Sequence, residues 1–187
     1  TIPLYLYLRQ QGKTVILANL SFTRLEFTDC VEIVPGCYRV DAHSAGVPYF
    51  PEKFIHEWLS ARGESPVIYA FAKTLGVQSL RRAYQYLRER HQLDTLVLAD
   101  GGTDSLMFGD EIGMGTIVED SLSILAAAQA GFARSYLCVV GFGVEQHHGL
   151  DHYPCLQNMA TLTKAGAYLG AQSITAEMAE GAAYLAL

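Results

Sequence analysis

Residues 95–105 read TLVLADGGTDS. Thr95–Ala99 is a short, unbroken apolar run, and Asp100–Ser105 is a loop of glycines, aspartates and hydroxyls. Such a run suits a strand buried on both faces, as in a parallel sheet. The pairing recurs at Ser135–His148, where the run SYLCVV meets GFGVEQHH. Thr14–Leu20 (TVILANL) and Pro66–Phe71 (PVIYAF) read the same way. A weaker strand is expected at Cys30–Val34, ahead of the turn residues Pro35 and Gly36.

Helical patterns separate these runs. Val77, Leu80, Tyr84 and Leu87 recur at helix spacing. Pro51 can open a helix with Phe54, Ile55, Trp58 and Leu59 facing inward. Thr116 and Glu119 form a capping box ahead of Leu122, Leu125 and Ala126. Pro154 opens a further helix that Gly170 is expected to end, and Thr175 is expected to cap a last one. Residues 3–11 fit either a strand or a helix. Alternation of strand and helix predicts an α/β fold, with an open, mostly parallel sheet and helices on both faces. No repeat or linker divides the chain, so residues 1–187 are expected to form one domain. The first residue, Thr1, and the last, Leu187, both fall in apolar segments, and both ends are expected to be cut.

The chain has 187 residues, 50% hydrophobic and 17% charged, a balance that excludes a disordered chain. No apolar run approaches the ~20 residues that a membrane span requires. Thirteen Lys and Arg against 19 Asp and Glu leave a formal charge of −6, which argues against a nucleic-acid partner. The acidity is concentrated late. Residues 91–187 carry 2 basic and 11 acidic side chains, and His91–Ala133 contains no Lys or Arg. A stretch of that kind suits either a solvated acidic face or a pocket for a cation. Cys30, Cys37, Cys138 and Cys155 have no CxxC spacing, so neither structural zinc nor a disulfide framework is expected, and a cytoplasmic location is.

In open α/β sheets, ligands bind beyond the carboxyl ends of the strands. That rule points to the two loops. Gly101 and Gly102 let backbone approach a ligand, and Thr103 and Ser105 add hydroxyls. Asp100, Asp104 and Asp110 are hard oxygen ligands of the kind Mg²⁺ or Mn²⁺ prefers. Glu111 and Glu145 are further ligand-binding candidates, whereas Glu119 and Asp120 are accounted for by helix capping and the helix dipole. His147, His148 and His152 lie within six residues; the first two are candidate proton-transfer groups beside Asp104, and His152 is a candidate ligand contact. Lys73 would join the same rim if the strands are neighbours. His43, His56 and His91 are read as structural. The chain contains no Walker-type loop, dinucleotide fingerprint or nucleophile elbow.

The strings DGGTDSLMFGDE at Asp100–Glu111, GFGVEQHHG at Gly141–Gly149 and YFPEKF at Tyr49–Phe54 together resemble an uncharacterised prokaryotic family, domain of unknown function 1152. The resemblance implies a Rossmann-like, three-layer fold and strengthens the two loops as the site, but implies no reaction. Members usually carry a Gly-rich segment before the first helix, which this chain lacks. Glu111–Gly115 (EIGMG) is also similar to a stretch of D-glutamate cyclase, a family that closes an amino acid to a lactam.

Three functions compete on these residues. The first is a hydrolase or lyase acting on a small polar or phosphorylated metabolite with a divalent metal. The second is metal-free lyase or cyclase chemistry on an amino-acid-like substrate, whose ammonium meets the acidic loop. The third is a non-catalytic module that binds a nucleotide or metabolite, with homo-oligomer contacts through an apolar end such as Ala179–Leu187.

Overall fold

A computed structural model describes residues 1–111, 117–149 and 151–187, excluding the side chains of Ile117 and His148. The chain folds as two compact units, one of Ile2–Gln92 with Ile174–Leu187, the other of Leu93–Ser173 with Thr1.

The first unit begins with helix α1 (Ile2–Gln10), so the ambiguous segment resolves as helix. Four strands follow: β1 (Leu17–Ser21), β2 (Val31–Val34), β3 (Cys37–Val40) and β4 (Ile68–Ala72). They form one sheet in the order β1-β4-β3-β2. The β1–β4 pair is parallel, whereas β4–β3 and β3–β2 are antiparallel. The α/β class holds, and this sheet is mixed. The reason is β3, which the sequence reading missed. Cys37–Val40 is too short to announce itself, but the Pro35-Gly36 turn folds the chain straight back and pairs Val34 with Cys37. Gly36 has φ +76°, the conformation required at the third position of a type II turn after proline.

Helices α2 (Pro51–Ala61) and α3 (Val77–His91) flank this sheet in sequence. Leu80, Tyr84 and Leu87 are buried, as the periodicity predicts. In α2 the fully buried side chains are Leu59 and Glu52, whereas Phe54 is exposed. The carboxylate of Glu52 accepts from Asn19 Nδ2 at 2.5 Å. Leu25, Val40, Phe50, Ile68 and Ala70 form the core of this unit. Helix α6 (Ala179–Leu185) packs on α1 and starts after Met178, so Thr175 is not its cap.

The second unit is built on strands β5 (Thr95–Asp100) and β6 (Arg134–Val139), which pair in parallel with Asp100 opposite Val139. Helix α4 (Ile117–Ala128) connects them and α5 (His152–Lys164) follows. Leu125 is exposed while Ala126 and Ala127 are buried, so small residues make the closest approach of α4. Helix α5 ends at Lys164, well before Gly170. Only β4 is buried along nearly its whole length; β5 is half-buried and β6 is largely exposed, contrary to the reading of these runs as buried on both faces. All four cysteines are free thiols. Among the described residues, no helix is long and apolar enough to cross a membrane.

Candidate functional site

The register of β5 and β6 brings their carboxyl ends level, so the two loops singled out in the sequence leave the same edge. Asp100 ends β5 and turns its carboxylate back on the loop. Its Oδ1 accepts from Gly102 N at 3.1 Å, and its Oδ2 accepts from Ser105 N at 3.3 Å. This is the aspartate-stabilised turn expected of an Asp-Gly-Gly sequence. The chain then enters a 3₁₀ turn, Asp104–Leu106, against which both α4 and α5 pack. From α5, Cys155 Sγ donates to Thr103 Oγ1 at 3.4 Å, and both residues are fully buried.

That packing assembles a set of acids. One oxygen of each of Asp100, Asp104 and Asp120 lies within 4.8 Å of the other two. Asp104 is buried, and Asp100 and Asp120 are half-buried. Like charges repel by about 4 kcal/mol per pair at 4 Å and an effective dielectric constant of 20, a term that a bound divalent cation reverses. Across His91–Ala133 the chain offers no Lys or Arg. Of the unit's two basic residues, Arg134 pairs with Asp94 at 2.6 Å, at the opposite end of the strands, and Lys164 lies in the last turn of α5. Asp120 is the member the sequence reading passed over. It stands in the first turn of α4, where the helix dipole explains an acid equally well. No local spacing marks it, because it reaches Asp104 only through the packing of α4.

A fourth acid comes from the other loop. After β6, Gly141 and Gly143 take φ of +84° and +87°. The chain then forms the 3₁₀ turn Val144–His148, which buries Glu145. Its carboxylate lies against the Cα of Gly102. A Cβ placed there would overlap Glu145 Oε1 and stand 3.3 Å from Asp104 Oδ1. Ser105 Oγ is buried with no hydrogen-bond partner among the described residues.

Glu111 has a different position. It accepts from Phe108 N and Gly109 N, both at 2.8 Å, and from Asn158 Nδ2 at 2.6 Å. Desolvation works against its charge, but these three donors together prevail and hold its pKa at about 2. Asn158 Nδ2 also donates to Leu106 O at 3.0 Å, so one α5 side chain fastens the 3₁₀ turn and the loop after it.

The remaining candidates divide. Gly101 lies at the loop tip, exposed, and Asp110 is exposed and outside the three-aspartate group. His147 is exposed beside Glu145 in the 3₁₀ turn. His152 is exposed and pairs with Asp151 at 2.9 Å, at the start of α5, whose N-cap is Asp151. The His148 side chain lies outside the described residues. So do residues 112–116, which hold Thr116 of the expected capping box and most of the string similar to D-glutamate cyclase. Lys73 belongs to the first unit, with Nζ 5.5 Å from the Phe22 ring centroid.

The fold and the loops define an α/β protein whose strand ends carry converging carboxylates on a glycine-rich floor. A family model described as a protein of unknown function (DUF1152) matches residues 7–186, and the chain belongs to that family. Neither a curated protein nor a solved structure matches it.

Proposed function

We propose that this protein is an enzyme that binds Mg²⁺ or Mn²⁺ at Asp100, Asp104 and Asp120 and acts on a small polar or phosphorylated metabolite at the carboxyl edge of β5 and β6. The convergence of the three carboxylates carries this reading. An all-oxygen, anionic set suits a hard divalent cation. With so few basic side chains in this unit, the cation and the backbone N–H groups of the loop are the partners for a substrate phosphate. His147 is exposed in the second loop, and in this reading its imidazole exchanges protons with substrate and solvent.

Thermal unfolding across a series of divalent chlorides, with a chelator control, tests the reading. Binding to the folded state alone stabilises by about 2.7 kcal/mol at a hundredfold excess over Kd. A selective rise in midpoint with Mn²⁺ or Mg²⁺, lost in Asp104→Ala, is the expected result. A midpoint that no metal moves, but that amino acids raise, would transfer the same carboxylates to a substrate ammonium and favour metal-free acid/base chemistry.

A further inference from the structure

We infer that the carboxyl edge of β1 and β4 is a binding site for a sugar phosphate, with Asn19 receiving the sugar hydroxyls and Lys73 the phosphate. The inference is independent of the cation reading above, whose aspartates belong to the other unit. β1 and β4 are the parallel pair of the first sheet, and their carboxyl ends lie level, with Ser21 opposite Ala72. Ligands of α/β sheets bind beyond such ends. A chain of contacts links the groups gathered there. Asn19 Nδ2 donates to Glu52 Oε1 at 2.5 Å, and Thr23 Oγ1 lies 3.5 Å from Glu52 Oε2. Thr23 Oγ1 also donates to Tyr49 O at 3.1 Å. From the end of β4, Lys73 leans back over the end of β1, with Nζ 5.5 Å from the Phe22 ring centroid.

Glu52 is fully buried, and among the described residues no Lys, Arg or His pairs with it. A buried carboxylate without a cation is costly to keep. Its bond to Asn19 supplies a reason. A carboxylate only accepts, so the Asn19 amide turns Nδ2 towards it and Oδ1 away. Asn19 itself is exposed, and its Oδ1 has no partner among the described residues. Glu52 is therefore a positioning residue, which holds Asn19 as an oriented acceptor with a second N–H donor beside it. Neighbouring sugar hydroxyls both donate and accept, and match that amide. Phe22 and Tyr49, both exposed, adjoin the network through Thr23 and offer flat apolar faces to a sugar ring. Lys73 is exposed, and no carboxylate pairs with it among the described residues, so its ammonium is open to a phosphate.

Titration of the isotope-labelled full chain with ribose 5-phosphate in chelator, followed by NMR, tests this. Shifts are expected at the Asn19 side-chain amide and at the backbone amides of Phe22, Thr23 and Lys73. Ribose alone and inorganic phosphate alone should bind at least tenfold more weakly. Lys73→Ala and Asn19→Ala are each expected to weaken ribose 5-phosphate at least tenfold. Glu52→Gln removes the constraint on the Asn19 amide, because a glutamine amide both donates and accepts. It should weaken binding severalfold and move the Asn19 side-chain signals, with circular dichroism unchanged. Lys53→Ala, which removes a lysine paired with Glu57 on the same helix, should bind as the wild type does. Absence of binding, shifts confined to residues 100–106, or equal weakening by Lys53→Ala and Lys73→Ala would overturn the site. Binding of inorganic phosphate as tight as that of ribose 5-phosphate would overturn the role of Asn19 and Glu52. If Asn19→Ala or Glu52→Gln fails to fold, Lys73→Ala and the wild-type Asn19 side-chain shift decide.

Discussion

Glu111 shows how a single acidic residue in a glycine-rich loop can be structural although its surroundings suggest chemistry. The sequence places it beside Asp110 as a ligand contact, and the structure commits both its oxygens to Phe108 N, Gly109 N and Asn158 Nδ2. Its pKa of about 2 against an ordinary 4.5 sets the sign of its pH dependence. The folded state binds fewer protons than the unfolded one between those values, so the contribution is complete above pH 4.5 and lost as pH falls towards 2. Glu111→Ala should lower stability at pH 7 by about 1–2 kcal/mol, allowing for partial exposure. It should also flatten the acid limb of the unfolding midpoint below pH 4.5, measured by urea denaturation across pH. An unchanged acid limb would mean that the loop does not depend on this carboxylate.

At the scale of elements, short-range rules explain what was legible and what was not. Apolar runs announced β1, β4, β5 and β6, because uninterrupted branched and aromatic residues suit a pleated surface. They did not announce β3, whose four residues acquire strand geometry from a turn and two neighbours. Its dependence on that turn gives a test. Gly36→Ala forces a side chain into a positive φ and brings its Cβ against Leu75. The backbone term alone is about 1–2 kcal/mol, and the crowding adds to it. Denaturant unfolding should show a loss of that size or more, whereas an unchanged midpoint would show that the hairpin does not need the type II turn. Leu125 and Phe54 teach a related lesson. Helix periodicity assigns a face, but which residues of that face are covered depends on what packs there.

At the scale of the whole molecule, acidity and fold come together. The unit of Leu93–Ser173 carries 9 acidic and 2 basic residues, and three of the acids meet where β5 ends. Cation binding there should stabilise the elements that supply the ligands more than the rest of the chain. Hydrogen exchange with saturating Mn²⁺ is expected to slow at amides of residues 100–106 and of Ile117–Ala128, with little change in β2 and β3. Equal slowing throughout would point to a global effect, and none to the absence of a site.

The sequence by itself determined the alternation of strands and helices, the placing of two polar loops after β5 and β6, and the acidic character of that unit. These follow from periodicity, turn residues and charge, which act over a few neighbouring residues. It also marked Asp100 and Asp104, because both sit within five residues of a strand end. Only the tertiary structure decided that Asp120 joins them, that Glu145 lies across Gly102, and that Glu111 is held by Asn158. Those relations span 16 to 47 residues of chain, and they exist because α4 and α5 close on one 3₁₀ turn and Glu145 reaches Gly102 just ahead of it. Packing of that kind leaves no trace in local spacing.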